Sequence, residues 1–165
     1  ATLKIADYQG PVYLRFGRPK VPNFTNPDQE FQIGKGIILN EGKDVTIVAT
    51  GHLVWESILA GQKLNNMGVS AEIINIHTIK PIDEEIILKS IKKSRCIVTA
   101  EEHNFLGGLG ESISRVLTKN DPVPQEFIAT HDTFGESGSP SKLMDKYGLN
   151  CNAIVKAVEK VLSRK

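Results

Sequence analysis

The fold is decided by residues 45–76, which read VTIVATGHLVWESILAGQKLNNMGVSAEIINI. Two short apolar runs, residues 45–50 and 71–76, enclose a stretch, residues 53–67, in which apolar residues recur with helical spacing. The two runs are too apolar to alternate, which is typical of strands that are covered on both faces of a parallel sheet. The stretch therefore predicts a strand, a helix and a second strand with a right-handed crossover.

The same order continues on both sides of this unit. The other predicted strands are residues 36–39, 96–100 and 126–130, and the other predicted helices are residues 83–93, 108–119 and 150–163. The last helix has a single apolar stripe with charged residues opposite it, and Asp83 stands where an N-cap is expected. We expect an α/β fold, a doubly wound and mostly parallel five-stranded sheet with helices on both faces, similar to a Rossmann fold.

A different pattern precedes the sheet. Residues 1–8 look like the last turns of a helix, and residues 12–16 read as a strand. Residues 18–29 contain three prolines, which allow neither a helix nor a central strand. This proline-rich stretch is expected to be a linker.

The chain of 165 residues has room for one complete domain. We expect residues 1–18 to be the remnant of a neighbouring domain, residues 19–31 to be a linker, and residues 32–165 to form the complete domain. The chain begins at Ala1 rather than at methionine, and we expect it to be part of a longer protein.

Composition argues against several classes of function. Lys and Arg number 20 against 19 Asp and Glu, a net charge of +1, so neither nucleic acid nor an anionic membrane is an expected partner. No apolar run approaches the roughly 18 residues that cross a bilayer, and no secretory signal begins the chain, so a cytoplasmic location is expected. Cys96 and Cys151 lack the spacing of a metal site or a disulfide framework.

In such a sheet, ligands bind in the loops beyond the carboxyl ends of the strands. Three of the four histidines, His52, His77 and His131, directly follow predicted strands. His, Thr, Asp and Gly are also ordinary loop residues, so a catalytic histidine is only one reading of this clustering.

The fourth histidine lies in the loop at residues 101–110, EEHNFLGGLG, which ends a strand and opens a helix. Free backbone N–H groups at such a helix start can hold an anion. The candidate anion-binding residues are His103, Gly107, Gly108 and Gly110. The run lacks the third glycine of a dinucleotide fingerprint, so the alternative is that its glycines permit a tight turn and close helix packing.

Two carboxylates open this loop. Glu101 and Glu102 leave the strand in succession, so their side chains are expected on opposite sides and at most one of them can enter a site.

Two arginines, Arg15 and Arg18, stand at the end of the first strand-like segment. Arginine suits bidentate binding of phosphate or carboxylate, whereas the alternative is a solvated charge beside the linker. Their spacing does not decide between the two.

The sequence resembles the carboxyl-terminal part of transketolase, in the form whose enzyme is divided over two chains. The motifs that carry the resemblance are GPVYLRFGR at 10–18, FQIGKG at 31–36, DVTIVATG at 44–51, IKPID at 79–83, EEH at 101–103 with GGLG at 107–110, and DTFGESG at 132–138. Their succession in the family's order is far more specific than any one motif.

The resemblance implies an enzyme of the pentose phosphate pathway that uses thiamine diphosphate and a divalent metal, Mg²⁺, to move two-carbon ketol units between sugar phosphates. In the family other domains hold the cofactor and supply the glutamate that activates it. The resemblance therefore implies that this chain has no catalytic residue, binds no cofactor or metal and is inactive alone. Its implied partners are the remaining transketolase domains or subunit, within a homodimer of the complete enzyme.

One functional residue is carried over from the family. Arg18 falls at the place of the arginine that contacts the phosphate of the sugar substrate, although Arg15 stands close enough to be confused with it. Residues 32–165 resemble the family's C-terminal domain, whose role is mainly structural, in assembly of the dimer.

Two alternatives to transketolase stay open. The same domain occurs in deoxyxylulose-phosphate synthase and in the β chains of 2-oxo acid dehydrogenases. A module of another class, which binds an anion or a regulatory partner through residues 101–110, is the other alternative.

Overall fold

The structure is a computed structural model that describes residues 1–17 and 19–165. The strands of this described part are β1 (Ile37–Asn40), β2 (Val45–Ala49), β3 (Ala71–Asn75), β4 (Ile97–Asn104) and β5 (Gln125–Thr130). Its helices are α1 (Thr2–Ala6), α2 (Leu53–Asn66), α3 (Glu84–Ser94), α4 (Leu109–Asn120), α5 (Pro140–Lys146) and α6 (Cys151–Leu162).

The strands form one sheet in the order β1-β3-β2-β4-β5. Strands β3, β2, β4 and β5 are parallel to one another, and β1 is antiparallel to β3. The prediction of a mostly parallel five-stranded sheet is confirmed. Strand β1 runs the other way because only residues 41–44 join it to β2, and a parallel entry needs a crossover of a dozen or more residues.

The short connection from β1 to β2 also explains Gly42. Strand β3 lies between β1 and β2, so the connection has to pass the start of β3. A Cβ at Gly42 would lie 2.2 Å from the carbonyl carbon of Ala71, the first residue of β3. Only glycine fits such a close approach between two backbones.

Apolar side chains pack on both faces of the sheet, which accounts for strands that do not alternate. On one face, side chains such as Ile47 pack with α2 and α6, whose contributions include Leu64 and Val158. On the other face, side chains such as Val48 pack with α3 and α4. Every residue of β2 and β3 is buried. The doubly wound arrangement predicted from the sequence is therefore present.

Polar contacts fix the ends of the helices. The Asp83 carboxylate accepts hydrogen bonds from the backbone N–H of Ile86, 3.3 Å away, and of Gly36, 2.9 Å away. The predicted N-cap of α3 is thus confirmed, and the same carboxylate also holds the residue that precedes β1. Asn150 caps α6 by accepting from the N–H of Ala153 at 3.0 Å.

Cys96 is fully buried and packs as a small apolar residue. Burial raises the pKa of its thiol, so the side chain is uncharged at neutral pH. Among the helices that the structure describes, none combines the length and the apolar character needed to span a bilayer.

One local prediction was wrong. Residues 12–16 form no strand, because no sheet strand pairs with them, and an unpaired strand leaves its backbone groups without partners. A helix was expected after the turn at residues 134–139, with Ser137 or Ser139 as its cap, and helix α5 follows Ser139, has seven residues and buries none of them. Its boundary has a sequence signal in Pro140, which stands at the first helical position after Ser139.

Residues 19–31, the predicted linker, form neither helix nor strand. The linker nevertheless contacts the domain, because the ring of Phe24 stacks on Trp55 of α2 with ring centroids 6.3 Å apart. This contact attaches the linker to the face of the sheet that α2 covers.

Replacement of Ile113 by alanine tests the core between α4 and the sheet. Ile113 is fully buried, so Ile113→Ala is expected to lower the free energy of unfolding by about 2–5 kcal/mol in urea titrations. The control is Met67→Ala, whose side chain is 52% exposed and whose loss should cost no more than about 0.5 kcal/mol. Equal losses in the two variants would contradict the described core.

Candidate functional site

The loops that follow β2, β4 and β5 meet at one edge of the sheet because these strands are parallel. Thr50 and the loop after it remain tied to β4, since the N–H of Thr50 donates to the carbonyl of Ala100 at 3.1 Å. Phe105 is tied in the same way to Thr130 at the end of β5, at 3.0 Å. His52 and His131 lie in these loops, whereas Glu101, Glu102 and His103 lie in the second half of β4, which extends beyond the predicted end at residue 100.

His52 and Glu102 form a pair at this edge. The Nδ1 atom of His52 lies 2.9 Å from Oε2 of Glu102. This is the separation of an ion pair when the imidazole is protonated. The imidazole is largely buried, with a side chain 16% exposed, and the carboxylate is partly open to solvent. Sequence reasoning missed this pair because the two residues are 50 positions apart.

The segment that precedes the predicted linker lies against this pair. Arg15 Nη1 donates to the backbone carbonyl of Glu102 at 2.9 Å. A Cβ built on Gly17 would lie 2.2 Å from Cε1 of His52 and 2.3 Å from its Nε2, so the backbone of Gly17 touches the imidazole. The backbone of Glu102 and the imidazole of His52 thus contact two positions in the segment 11–17, which we call the arm.

The structure describes the surroundings of one of the two candidate arginines, Arg15. The guanidinium of Arg15 is engaged with the backbone of Glu102. Arg18, the candidate for the substrate phosphate, lies outside the described residues, and its role stays a prediction. It directly follows Gly17 in the chain.

Glu101 points the other way from Glu102, as predicted for successive residues of a strand. It is only 3% exposed, and its two carboxylate oxygens accept from the backbone N–H groups of Leu109 at 2.7 Å and Gly110 at 2.8 Å. These N–H groups begin α4, where a negative charge is favourable to the helix dipole. Glu101 is therefore an anion supplied by the chain itself to the start of α4.

The glycines of the loop make this arrangement possible. A Cβ at Gly108 would lie 2.1 Å from Oε2 of Glu101, and a Cβ at Gly110 would lie 2.4 Å from the ring of Phe127. Gly107 has a φ of +77°, and its N–H donates to Glu111 Oε2 at 2.8 Å. These contacts favour the alternative of a tight turn with close packing.

The predicted anion site at His103, Gly107, Gly108 and Gly110 stays a prediction. The N–H groups of Leu109 and Gly110 are occupied by Glu101, so an external anion would have to displace a buried carboxylate of the same sign. His103 is exposed, with Nδ1 2.7 Å from the carbonyl of Asn104.

The other two histidines have separate surroundings. His77 lies beside the ring of Phe31, with ring centroids 4.3 Å apart, and its Nδ1 is 2.9 Å from the hydroxyl of Thr78. Burial lowers the pKa of His77, which favours the neutral imidazole. His131 is exposed and lies 5.9 Å, between ring centroids, from Phe105. The rings of Phe105 and His131 line an open groove of about 510 Å³. Its other lining residues are Glu111, Ser114, Glu126 and Phe127.

The side chains and N–H groups at this edge of the sheet do not fit a diphosphate bound with a metal ion. No three His, Cys, Asp or Glu side chains gather into a cation site within the described part of the chain. The start of α4, which has the N–H geometry for a phosphate, is filled by Glu101. The edge presents instead the imidazole of His52 beside the Glu102 carboxylate, and the guanidinium of Arg15, which donates to a backbone carbonyl.

Comparison with known proteins gives a consistent result. The family model described as the transketolase C-terminal domain matches residues 34–154. The chain is 42% identical over 162 residues to the 6-deoxy-6-sulfo-D-fructose transketolase subunit of a Clostridium species, which covers 98% of this chain and 50% of that protein. It is 38% identical over 153 residues to one of the apulose-4-phosphate transketolase subunits of Phocaeicola vulgatus, covering 92% of this chain and 49% of that protein.

A solved structure that is similar to this chain also belongs to a transketolase. The chain superposes with a TM-score of 0.94 and 42% identity on a split gene transketolase described as an inactive β4 tetramer. The match covers 98% of this chain and 53% of the other. The chain thus spans about half the length of the relatives that it matches.

Replacement of Glu101 tests its contact with α4. Glu101→Ala would leave two buried N–H groups without an acceptor, and we expect a loss of about 2–4 kcal/mol in the free energy of unfolding. Glu101→Gln keeps one acceptor oxygen and should lose about half as much. The control is Glu159→Ala on the exposed face of α6, which should change stability by less than about 0.5 kcal/mol. A Glu101→Ala protein as stable as this control would show that the contact contributes nothing.

Proposed function

Because the chain belongs to the transketolase C-terminal domain family, we propose that it is the C-terminal-domain portion of a transketolase divided over two chains. The observation that carries this proposal is the 42% identity to a transketolase subunit across nearly the whole chain, which corresponds to half of that subunit. The complete enzyme would transfer two-carbon ketol units between sugars, and this chain would serve in its assembly.

The division of the chain follows from the same comparison. We infer that residues 1–18 belong to the neighbouring pyrimidine-binding domain, that residues 19–31 link the two domains, and that residues 32–165 are the C-terminal domain. In support, the family match begins at residue 34, and the first sheet strand begins at Ile37.

The cofactor belongs to the other portions of the enzyme in this proposal. Thiamine diphosphate, held with Mg²⁺, supplies the carbanion chemistry of ketol transfer when bound. The residues at the described edge of the sheet do not fit that group, which is consistent with a cofactor held elsewhere. A cytoplasmic homodimer of the complete enzyme, in the pentose phosphate pathway, stays part of the proposal.

Exposed apolar side chains favour a role in assembly. Leu3, Tyr13, Phe16 and Phe134 are each more than four-fifths exposed, and three of them lie within residues 1–17. Apolar groups collected in one segment mark a surface that other protein covers, because burial of apolar area is worth about 25 cal/mol per Å². The remaining transketolase domains or subunit are the partner that this proposal names.

Arg18 is the residue of this chain that we assign to the substrate. The names of the two relatives include a sulfonated sugar and a sugar phosphate. Sulfonate and phosphate are both tetrahedral oxyanions, and a guanidinium binds either of them by paired hydrogen bonds. Arg15 is a weaker candidate, because its guanidinium already donates to the backbone of Glu102. The proposed substrates are therefore sugars that carry a terminal anion.

Arg18→Ala in the complete enzyme tests this assignment. Loss of a charge-assisted contact of about 1.5–3 kcal/mol should raise the KM for a sugar phosphate by about 10- to 150-fold. The KM for the same sugar without its phosphate should stay as it is. Steady-state kinetics with both substrates measure the difference, and Arg115→Ala, on the exposed face of α4, is the matched control.

Two results would contradict the proposed function. An unchanged KM for the sugar phosphate in Arg18→Ala would remove Arg18 from the substrate site. An enzyme that takes pyruvate rather than a ketose as its two-carbon donor would be a deoxyxylulose-phosphate synthase instead.

A further inference from the structure

The second half of the linker, residues 24–31, touches the domain at both of its ends. At one end the ring of Phe24 stacks on Trp55, with ring centroids 6.3 Å apart and 23° between the ring planes. At the other end the ring of Phe31 lies beside the imidazole of His77, with ring centroids 4.3 Å apart. Both phenylalanines are half-buried, whereas the residues on either side of each of them are exposed. The two rings are therefore the part of this segment that the domain covers.

The residues that receive the two rings belong to different elements of one edge of the sheet. Trp55 lies in the first turn of α2, which follows β2, and His77 closely follows β3. Because β2 and β3 are parallel neighbours, the ends of both strands lie at the carboxyl edge of the sheet. Phe24 also packs against the apolar core that α2 and the sheet share. The linker is thus held along that edge at two separate places.

A turn between the two rings fixes their spacing. The side-chain Oδ1 of Asn26 accepts from the backbone N–H of Asp28 at 2.9 Å, and the carbonyl of Asn26 accepts from the N–H of Gln29 at 3.1 Å. Pro27, at the second position of this turn, restricts its own φ and so lowers the entropy that is lost when the turn forms. Residues 24–31, with a ring at each end and a turn between them, therefore form one unit, which we call the clasp.

The rings rather than charges hold the clasp. Glu30 is paired with Lys4 of α1 at 3.3 Å, but the two side chains are 65% and 52% exposed. Exposed ion pairs contribute little to stability, because both charges stay hydrated and salt screens them. Aromatic pairs, in contrast, add their own attraction to the apolar area that they bury. The attachment of the linker therefore depends on the two ring contacts.

We propose that the clasp makes the second half of the linker a part of the domain, so that the hinge toward the preceding segment is confined to residues 19–23. Residues 19–23 are all exposed, and they include Pro19 and Pro22, which limit the directions that such a hinge can take. The inference does not rest on the proposed function, because neither ring contact involves a residue assigned to the substrate or to a partner.

A short hinge changes what the linker does. Two domains joined by an unattached linker move relative to one another by default. Shortening the free part of a tether narrows the range of positions that the tethered partner can reach. The clasp thus keeps the segment that precedes the linker close to the carboxyl edge of the sheet, where the arm also lies.

Hydrogen exchange in the protein that contains this chain tests the clasp from the linker side. The amides of Asp28 and Gln29 belong to the turn between the rings. We expect both amides to exchange about 10-fold faster in Phe24→Ala and in Phe31→Ala, because either loss frees one end of the clasp. The double variant should bring them to the rate of an unfolded peptide. The matched control is Val21→Ala, in the hinge, which should leave both rates unchanged.

Limited proteolysis with chymotrypsin tests the clasp from the domain side, because Trp55→Ala and His77→Ala leave the linker sequence as it is. Cleavage after Phe24 should become about 10-fold faster in Trp55→Ala, and cleavage after Phe31 should do so in His77→Ala. Cleavage after Phe16, an 84% exposed residue of the arm, should be fast in every variant and is the internal reference. Mass spectrometry of the fragments measures each rate.

The matched control for the histidine is His131→Ala, whose ring lies beside Phe105 rather than the linker and whose loss should leave these rates as they are. Exchange in the two linker variants no faster than in the Val21→Ala control would overturn the inference. Cleavage in the clasp of the unaltered protein as fast as cleavage in the arm would do the same. A rise in exchange that extends equally to β2 would show that the rings stabilise the whole domain, and would also overturn it.

Discussion

The alternation of side chains at the carboxyl end of β4 sends two successive carboxylates to opposite sides, and the edge of the sheet is organised by this divergence. Glu101 turns inward and satisfies the first N–H groups of α4. Glu102 turns outward and lies 2.9 Å from His52, against which the arm lies. One carboxylate thus holds the start of α4, and the other lies beside the imidazole that the arm contacts.

The inward direction of Glu101 explains why the glycine-rich loop, which resembles an anion-binding site in sequence, has a carboxylate of the same chain at its N–H groups. Strand-to-helix loops with several glycines expose N–H groups that attract negative charge. In this domain Gly108 leaves room for the Glu101 carboxylate, so the charge comes from the chain. The start of α4 is therefore occupied by a side chain of the domain itself.

The strands and long helices could be predicted because their signals are local. Each strand is a short apolar run, and each helix carries an apolar stripe or a cap such as Asp83. The antiparallel direction of β1 follows from the four-residue connection to β2. The apolar pattern of a strand does not indicate its direction. The false strand at residues 12–16 had the composition of a strand without a partner to pair with. Local sequence cannot show whether such a partner exists.

The site was predictable in part for the same reason. Glu101 and Glu102 were expected to diverge, because that depends on the strand alone. The pairing of His52 with Glu102 depends on β2 and β4 being neighbours in the sheet. The contact of Gly17 with the imidazole of His52 depends on the arm lying against that pair. Neither relation can be read from a single segment of the sequence.

The most direct measurement of the central claim is an assay of ketol transfer from a ketose phosphate to an aldose phosphate. It would use the subunit that contains this chain, the partner subunit, and thiamine diphosphate with Mg²⁺, each present or omitted. We expect transfer only when both subunits and the cofactor are present. Transfer by the subunit that contains this chain without its partner, or no transfer from any phosphorylated or sulfonated ketose by the complete mixture, would contradict the claim.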